Sequence, residues 1–205
     1  MLMTILQYVG VAVFAVSGAL AAGRRSLDLV GVVVLASATG VGGGTLRDLL
    51  LERTVFWVAE PSYFLVIVAS ALLTIPYVRV ARPHENLLQI ADAIGLALFS
   101  IAGARIAENA GHPGVVQIVM GTITGAFGGL VRDVLCAEVP TVMQRGHIYA
   151  TAAIAGISLY VLLETLGIDR EVAAVIGITA IGCLRLAAIV FDLTLPVFTL
   201  PENRR

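Results

Sequence analysis

Two segments of this sequence combine residue types that are costly in apolar surroundings. TGVGGGTLRDLL, residues 39–50, sets three consecutive glycines and an adjacent Arg-Asp pair at the end of a long apolar run. TGAFGGLVRDVL, residues 124–135, repeats it at an offset of 85: Thr39, Gly40, Gly43, Gly44, Arg47, Asp48 and Leu50 recur as Thr124, Gly125, Gly128, Gly129, Arg132, Asp133 and Leu135, seven of twelve positions. A glycine costs about 1 kcal/mol relative to alanine inside a helix, so Gly42, Gly43 and Gly44, with Gly128 and Gly129, are places where a helix can bend or open. Carbonyls freed there, with the hydroxyls of Thr39 and Thr124 one turn earlier, form a set of oxygens that suits a hard monovalent cation by replacing part of its hydration shell. The other reading of the glycines is close helix packing.

The charges sharpen the question. Adjacent residues on a helix project about 100° apart, so Arg47 and Asp48, like Arg132 and Asp133, are expected to seek partners on other helices rather than each other. A charge at mid-membrane costs roughly 2.5 to 3.5 kcal/mol on insertion scales, which favours charges that face a pathway or one another. On that reading Asp48 and Asp133 draw cations, while Arg47 and Arg132 brace or gate the bend. The alternative is a place at the lipid–water interface. Ser17, beside Gly18 near the middle of the first apolar run, lines a pathway or bonds back to its own helix. Asp92, whose counterpart in the first copy is Gln7, faces the interior or complements the dipole of a first helical turn.

The elements that carry these residues follow from composition. Of 205 residues, 59% are hydrophobic and 13% charged, and the mean hydropathy is +0.96, which marks an integral membrane protein. About 20 apolar residues are needed to cross the hydrocarbon layer as a helix. Seven such windows occur, at 5–23, 28–50, 62–80, 87–107, 114–136, 147–164 and 170–190. The first has its basic pair, Arg24 and Arg25, after the apolar stretch and reads as a retained span rather than a signal peptide.

The same offset pairs Gly10, Phe14, Gly18 and Ala19 with Gly95, Phe99, Gly103 and Ala104, so the chain is a duplication. The reading is one all-α membrane domain over 1–205, with a first three-helix repeat at 5–80 and a second at 87–164. A seventh helix follows at 170–190, then a tail at 196–205. Three spans per copy is an odd number, so the second copy enters the membrane inverted, and matching weak points in the two halves mark the binding or permeation site. Arg24, Arg25, Arg79, Arg82, Arg145, Arg204 and Arg205 on one side, against Arg53, Arg105 and Arg170 on the other, place the tail in the cytoplasm and the N-terminus outside.

Other classes are excluded or weak. All 13 basic residues are arginine and the net charge is −1, with no stripe for nucleic acid. Cys136 and Cys183 lack metal-ligand spacing and read as small core residues; His84, His112 and His147 fall in or beside loops. No nucleophile–base pair is evident, and the glycine run lacks the Lys-Ser/Thr ending of a phosphate loop, so an enzyme is not expected. Asp28 is placed to cap the second helix.

With FAVSGALAAGRRSLDLVGVVVLASATGVGGGTLRDLL in the first copy and DAIGLALFSIAGARIA and GAFGGLVRDVLCAEVP in the second, the chain resembles prokaryotic members of the trimeric intracellular cation channel family over about residues 5–192. The resemblance implies seven helices, a homotrimer in the prokaryotic plasma membrane with a pore through each subunit, and potassium conduction without a cofactor. It implies bends at Gly42, Gly43, Gly44, Gly128 and Gly129, with Arg47, Asp48, Arg132 and Asp133 as the associated charged pairs. Potassium ions and membrane lipids are then the partners, and nucleic acid is not. The Lys-Glu-Val motif of the animal members is absent, so their lipid regulation does not carry over. Phe127 stands where the first copy has Gly42, which suggests an apolar constriction. Secondary transport of a small neutral solute such as glycine is the rival function, since inverted repeats also build transporters and this domain also bears a glycine-transporter label.

Overall fold

The computed structural model describes residues 2–81, 86–144 and 148–196. The helices are α1 (Leu2–Arg24), α2 (Leu29–Leu50), α3 (Phe56–Ala59), α4 (Ser62–Ala81), α5 (Leu87–Asn109), α6 (Gly114–Leu135), α7 (Ala150–Thr165) and α8 (Arg170–Val190), with a 3₁₀ turn at Thr141–Met143. Residues 82, 84, 145, 147, 204 and 205, which entered the charge and histidine readings, lie outside the described residues, as does the tail beyond Pro196.

Six helices are long and apolar enough to cross a bilayer; α7 is apolar but only 16 residues long. The expected sixth window, 147–164, therefore appears as a shorter helix. Its entry is displaced because Arg185 Nη1 donates to the Ile148 carbonyl at 2.6 Å, and Tyr149 takes a non-helical conformation as the N-cap of α7. The four-residue α3 and the Thr141–Met143 turn were not anticipated.

The expected breaks at the glycines are absent. Both α2 and α6 run uninterrupted through their glycine motifs. The missing Cβ atoms serve packing instead: a Cβ on Gly43 would run into the Thr124 carbonyl oxygen, and one on Gly128 into that of Thr39. In lipid there is no water to reward an opened ladder, so a helix that can pack its glycines stays closed.

That reciprocity extends through the molecule. A Cβ on Gly10 would meet the Phe99 ring and one on Gly95 the Phe14 ring, both at 2.8 Å or less. Phe14 and Phe99 face each other at 5.3 Å between ring centres. These contacts of one copy with the other are thus returned at the 85-residue offset, as a two-fold relation between the copies would have it. The loops repeat it too: Ser26 and Gly111 share positive φ, as do Glu52 and Ala137. Arg53 N–H closes on the Asp48 carbonyl at 2.8 Å and Glu138 N–H on that of Asp133 at 2.9 Å. Asp28 caps α2 as expected, accepting from Gly31 N–H at 2.8 Å.

α1 and α5 are the most enclosed helices and α4 the least. Val11, Leu35 and Ile67 centre one core, where α1, α2 and α4 meet. Leu96, Ile157 and Ile181 centre the other, where α5 and α7 meet α8. Cys136 is buried in the first core as expected, but Cys183 is exposed on α8. At one end of the bundle Tyr8 of α1 meets Ser62 of α4 at 2.6 Å. At the other, Arg25 pairs with Glu138 beyond α6. The Asp48 motif belongs to the first end and the Asp133 motif to the second.

Candidate functional site

The two motif helices cross in the middle of the protein. Thr39 and Thr124 are fully buried there, and each hydroxyl donates to its own helix, Thr39 to Leu35 O at 2.7 Å and Thr124 to Met120 O at 2.6 Å. Their oxygens remain able to accept, but neither hydroxyl stands free. A Cβ on Gly42 would meet Val131 and Gly128 only at ordinary contact distance, so the crossing is tight at Gly43 and Gly128 and relaxed beside Gly42. Phe127 is half-buried.

Contrary to the helical-wheel expectation, each Arg pairs with the Asp next to it. Arg47 Nε donates to Asp48 Oδ1 at 2.8 Å, and Arg132 Nε to Asp133 Oδ1 at 2.8 Å. An arginine side chain is long enough to curl back across 100° of helix, and in an apolar setting the cost of a lone charge outweighs that of the curled rotamer. Arg47, Asp48 and Arg132 are each 2% exposed. The second carboxylate oxygens do matching work: Asp48 Oδ2 accepts from Phe56 N–H at 2.9 Å and Asp133 Oδ2 from Thr141 N–H at 2.8 Å. Each motif therefore anchors the short helical turn that follows it.

Beyond this shared plan the two ends diverge. Arg132 Nη1 also donates to Ser17 Oγ at 2.5 Å and to Asp92 Oδ1 at 2.7 Å, tying α6 to α1 and α5. Asp92 lies past the first turn of α5 and faces the interior, and Ser17 is an acceptor for the other copy's arginine. Arg185 of α8 lies over the Tyr149 ring at 4.8 Å, and a Cβ on Gly129 would touch both Tyr149 OH and Asp92 Oδ1. Asp92, Asp133, Arg132 and Arg185 thus form a buried group of balanced charge. A cavity of about 200 Å³ opens onto it, lined by Arg132, Asp133, Gln89, Thr141, Gln144 and Arg185 among others. Beside it the Cys136 thiol is pushed up from its ordinary pKa by burial.

At the first end Arg47 has an aromatic ring where Arg132 has a second carboxylate: Phe56 lies 5.7 Å from its guanidinium carbon. Sequence reasoning gave no role to Phe56, Tyr63, Tyr149 or Arg185. Arg105, counted there as a loop charge, is buried at 3% exposure and makes a two-pronged bond to Glu171, at 2.7 and 3.1 Å. The helix-end position of Arg105 gave no signal of that partner.

Fold and site define a duplicated, multi-pass helical membrane protein. The family described as "Glycine transporter" matches twice, over residues 4–78 and 89–165, and the chain belongs to that family. Among relatives, the UPF0126 inner membrane protein YadS of Escherichia coli is 43% identical over the full length of both chains. A UPF0126 membrane protein of Vibrio cholerae is 42% identical over 98% of this chain and 84% of its own. The structure is similar to that of a TRIC trimeric intracellular cation channel orthologue from Rhodobacter sphaeroides, with 41% identity, a TM-score of 0.89 and coverage of 93% of this chain and 98% of that one. A second TRIC cation channel shares 32% identity and a TM-score of 0.85 over 97% and 98% of the two chains. A TRIC channel of C. elegans shares the fold, with a TM-score of 0.62 over 91% and 90% of the chains at 12% identity. These structural neighbours are channels rather than enzymes.

Proposed function

We propose that this protein is a cation channel selective for potassium, a homotrimer whose subunits each conduct along the crossing of α2 and α6. The observation that carries the reading is the close backbone approach of Gly43 to Thr124 and of Gly128 to Thr39, at the centre of a fold shared with named cation channels. The pathway residues are Thr39, Gly42, Gly43, Gly44, Thr124, Gly128 and Gly129 at the crossing, with Asp48 at one end and Ser17, Asp92 and Asp133 at the other. Arg47 and Arg132 hold the carboxylates in place, so the helices act as unbroken walls rather than as opened ladders. The returned contacts, the three-helix copies and the opposite ends occupied by the two motifs support inverted repeats about an axis in the membrane plane. With the arginine distribution, they support an N-terminus outside and a cavity on the cytoplasmic side.

A second reading, transport of a small neutral solute such as glycine, is favoured by the family's description and by a cavity that ends at a buried charge cluster. Purified protein in a planar bilayer under a potassium chloride gradient separates the two. Discrete current steps reversing near the potassium potential support the channel; silent bilayers with saturable, gradient-driven glycine uptake in vesicles overturn it. Asp133→Asn is expected to lower cation flux while the protein still assembles, because Arg132 keeps Asp92; Asp48→Asn, which strands Arg47, is expected to lower both flux and the yield of folded protein. Unchanged conductance in both variants would remove the two carboxylates from the pathway.

A further inference from the structure

The two-fold relation allows the ends of the proposed path to be compared position by position. Where α6 ends, the motif faces the polar cavity, which Thr141 and Ile148 also line; Val142 and Ala93 follow Thr141 and Asp92 in the chain. Their counterparts where α2 ends are Phe56, Trp57, Tyr63 and Tyr8, all aromatic. At Thr141 and Ile148, which line the cavity, the first copy thus has the rings of Phe56 and Tyr63. Phe56 packs on the bare backbone of Gly44, where a Cβ would approach its ring to 2.5 Å. Phe56 is edge-on to Tyr63 at 4.9 Å, and Tyr63 stacks on Tyr8 at 4.3 Å.

The segment that carries Phe56 is held by few bonds. α3 has four residues, too short to be stable by itself. It is fastened to α2 by Phe56 N–H to Asp48 Oδ2 at 2.9 Å and by Trp57 Nε1–H to Thr45 Oγ1 at 3.0 Å. Thr45 Oγ1 stays available to accept because its own proton goes to Val41 O. In the second copy Val142 and Leu130 stand in place of Trp57 and Thr45, so that fastening has no counterpart there.

We propose that α3 is a gate: the Phe56, Tyr63 and Tyr8 rings close the path at the end where α1 begins, and the Trp57–Thr45 bond with the Asp48 anchor latches them shut. This inference rests on the channel reading of the preceding subsection. Lifting α3 off Gly44 would withdraw Phe56 from Arg47 and open at this end a space equivalent to the existing cavity.

The test uses the full chain in planar bilayers in symmetric potassium chloride. Trp57→Phe keeps the ring and removes the donor; Thr45→Val keeps the shape and removes the acceptor. Loss of one hydrogen bond from the closed state corresponds to about a two- to tenfold rise in the ratio of open to closed time. Both variants are expected to show that rise at unchanged single-channel conductance, and Phe56→Ala a larger one. Currents in the wild type with no rise, or a fall, in both latch variants overturn the gate and leave the channel standing. Silence in the wild type and in all three variants overturns the channel reading and the gate with it, whereas silence in the wild type with currents in the latch variants supports both. The two latch variants hold the test together if Phe56→Ala fails to fold.

Discussion

Replacing Gly43 or Gly128 by alanine probes the helix crossing directly. In each case the new methyl meets a main-chain carbonyl of the opposing helix far inside contact distance, and a backbone cannot turn aside as a side-chain tip can. The helices must separate, and a gap of about 0.5–1 Å already forfeits a quarter to a half of each dispersion contact along the seam. Overpacking of this kind costs about 1–3 kcal/mol, and with backbone as the obstacle the upper figure applies. Alanine returns about 1 kcal/mol through helix propensity, so each substitution is expected to destabilise by about 2 kcal/mol. A Cβ on Gly23 or Gly182 would meet nothing within 4 Å outside its own helix backbone, so alanine there keeps the propensity gain without the clash. Thermal unfolding in detergent, followed by size-exclusion chromatography, should therefore fall by several degrees for Gly43→Ala and Gly128→Ala and hold or rise for Gly23→Ala and Gly182→Ala. The double variant should cost less than the sum, because the first methyl has already parted the helices. Equal stability across all four single variants would refute the close approach of α2 and α6, and with it the placement of the path.

Arg132→Met should be far more damaging than Arg47→Met. It strands both Asp92 and Asp133, and leaving a buried charge unpaired costs about 3–5 kcal/mol, so the yield of folded protein should drop sharply, while Arg47→Met strands one carboxylate. The cysteines should separate by reactivity: N-ethylmaleimide in detergent at neutral pH should modify exposed Cys183 first, read by mass spectrometry. Because burial raises the Cys136 pKa, its thiolate fraction is small below that raised value, and its labelling should climb as pH increases.

The duplication, the helix positions and the capping role of Asp28 were legible because each is written locally, in spacing, hydropathy and turn chemistry. The Arg-Asp pairing was not, since a helical wheel fixes the direction of Cβ and says nothing of where a long guanidinium ends. Nor was the helix continuity at Gly42, Gly43 and Gly44: propensity counts what a glycine loses and omits the opposing backbone it admits. Ser17, Asp92 and Arg132 converge from three helices, and only the packing brings them within bonding distance. Arg185 stood outside the repeat, so no counterpart hinted that it would overlie Tyr149 and draw out the start of α7. The aromatic set at Phe56 and Trp57 lay in a segment read as a connection.

The returned contacts carry a consequence for the origin and handling of the chain. Contacts such as Gly10 with Phe99 and Gly43 with Thr124 join one half to the other without using the connection between α4 and α5, so a polypeptide cut there should still find its complement in the bilayer. A solitary first half would expose the Gly10 and Gly43 hollows that Phe99 and Thr124 now occupy, and its own Phe14 and Thr39 are the right shapes to enter the same hollows in a twin. The fused gene then reads as a self-associating ancestor whose two partners have since been free to specialise, one end toward aromatic closure and the other toward buried charge.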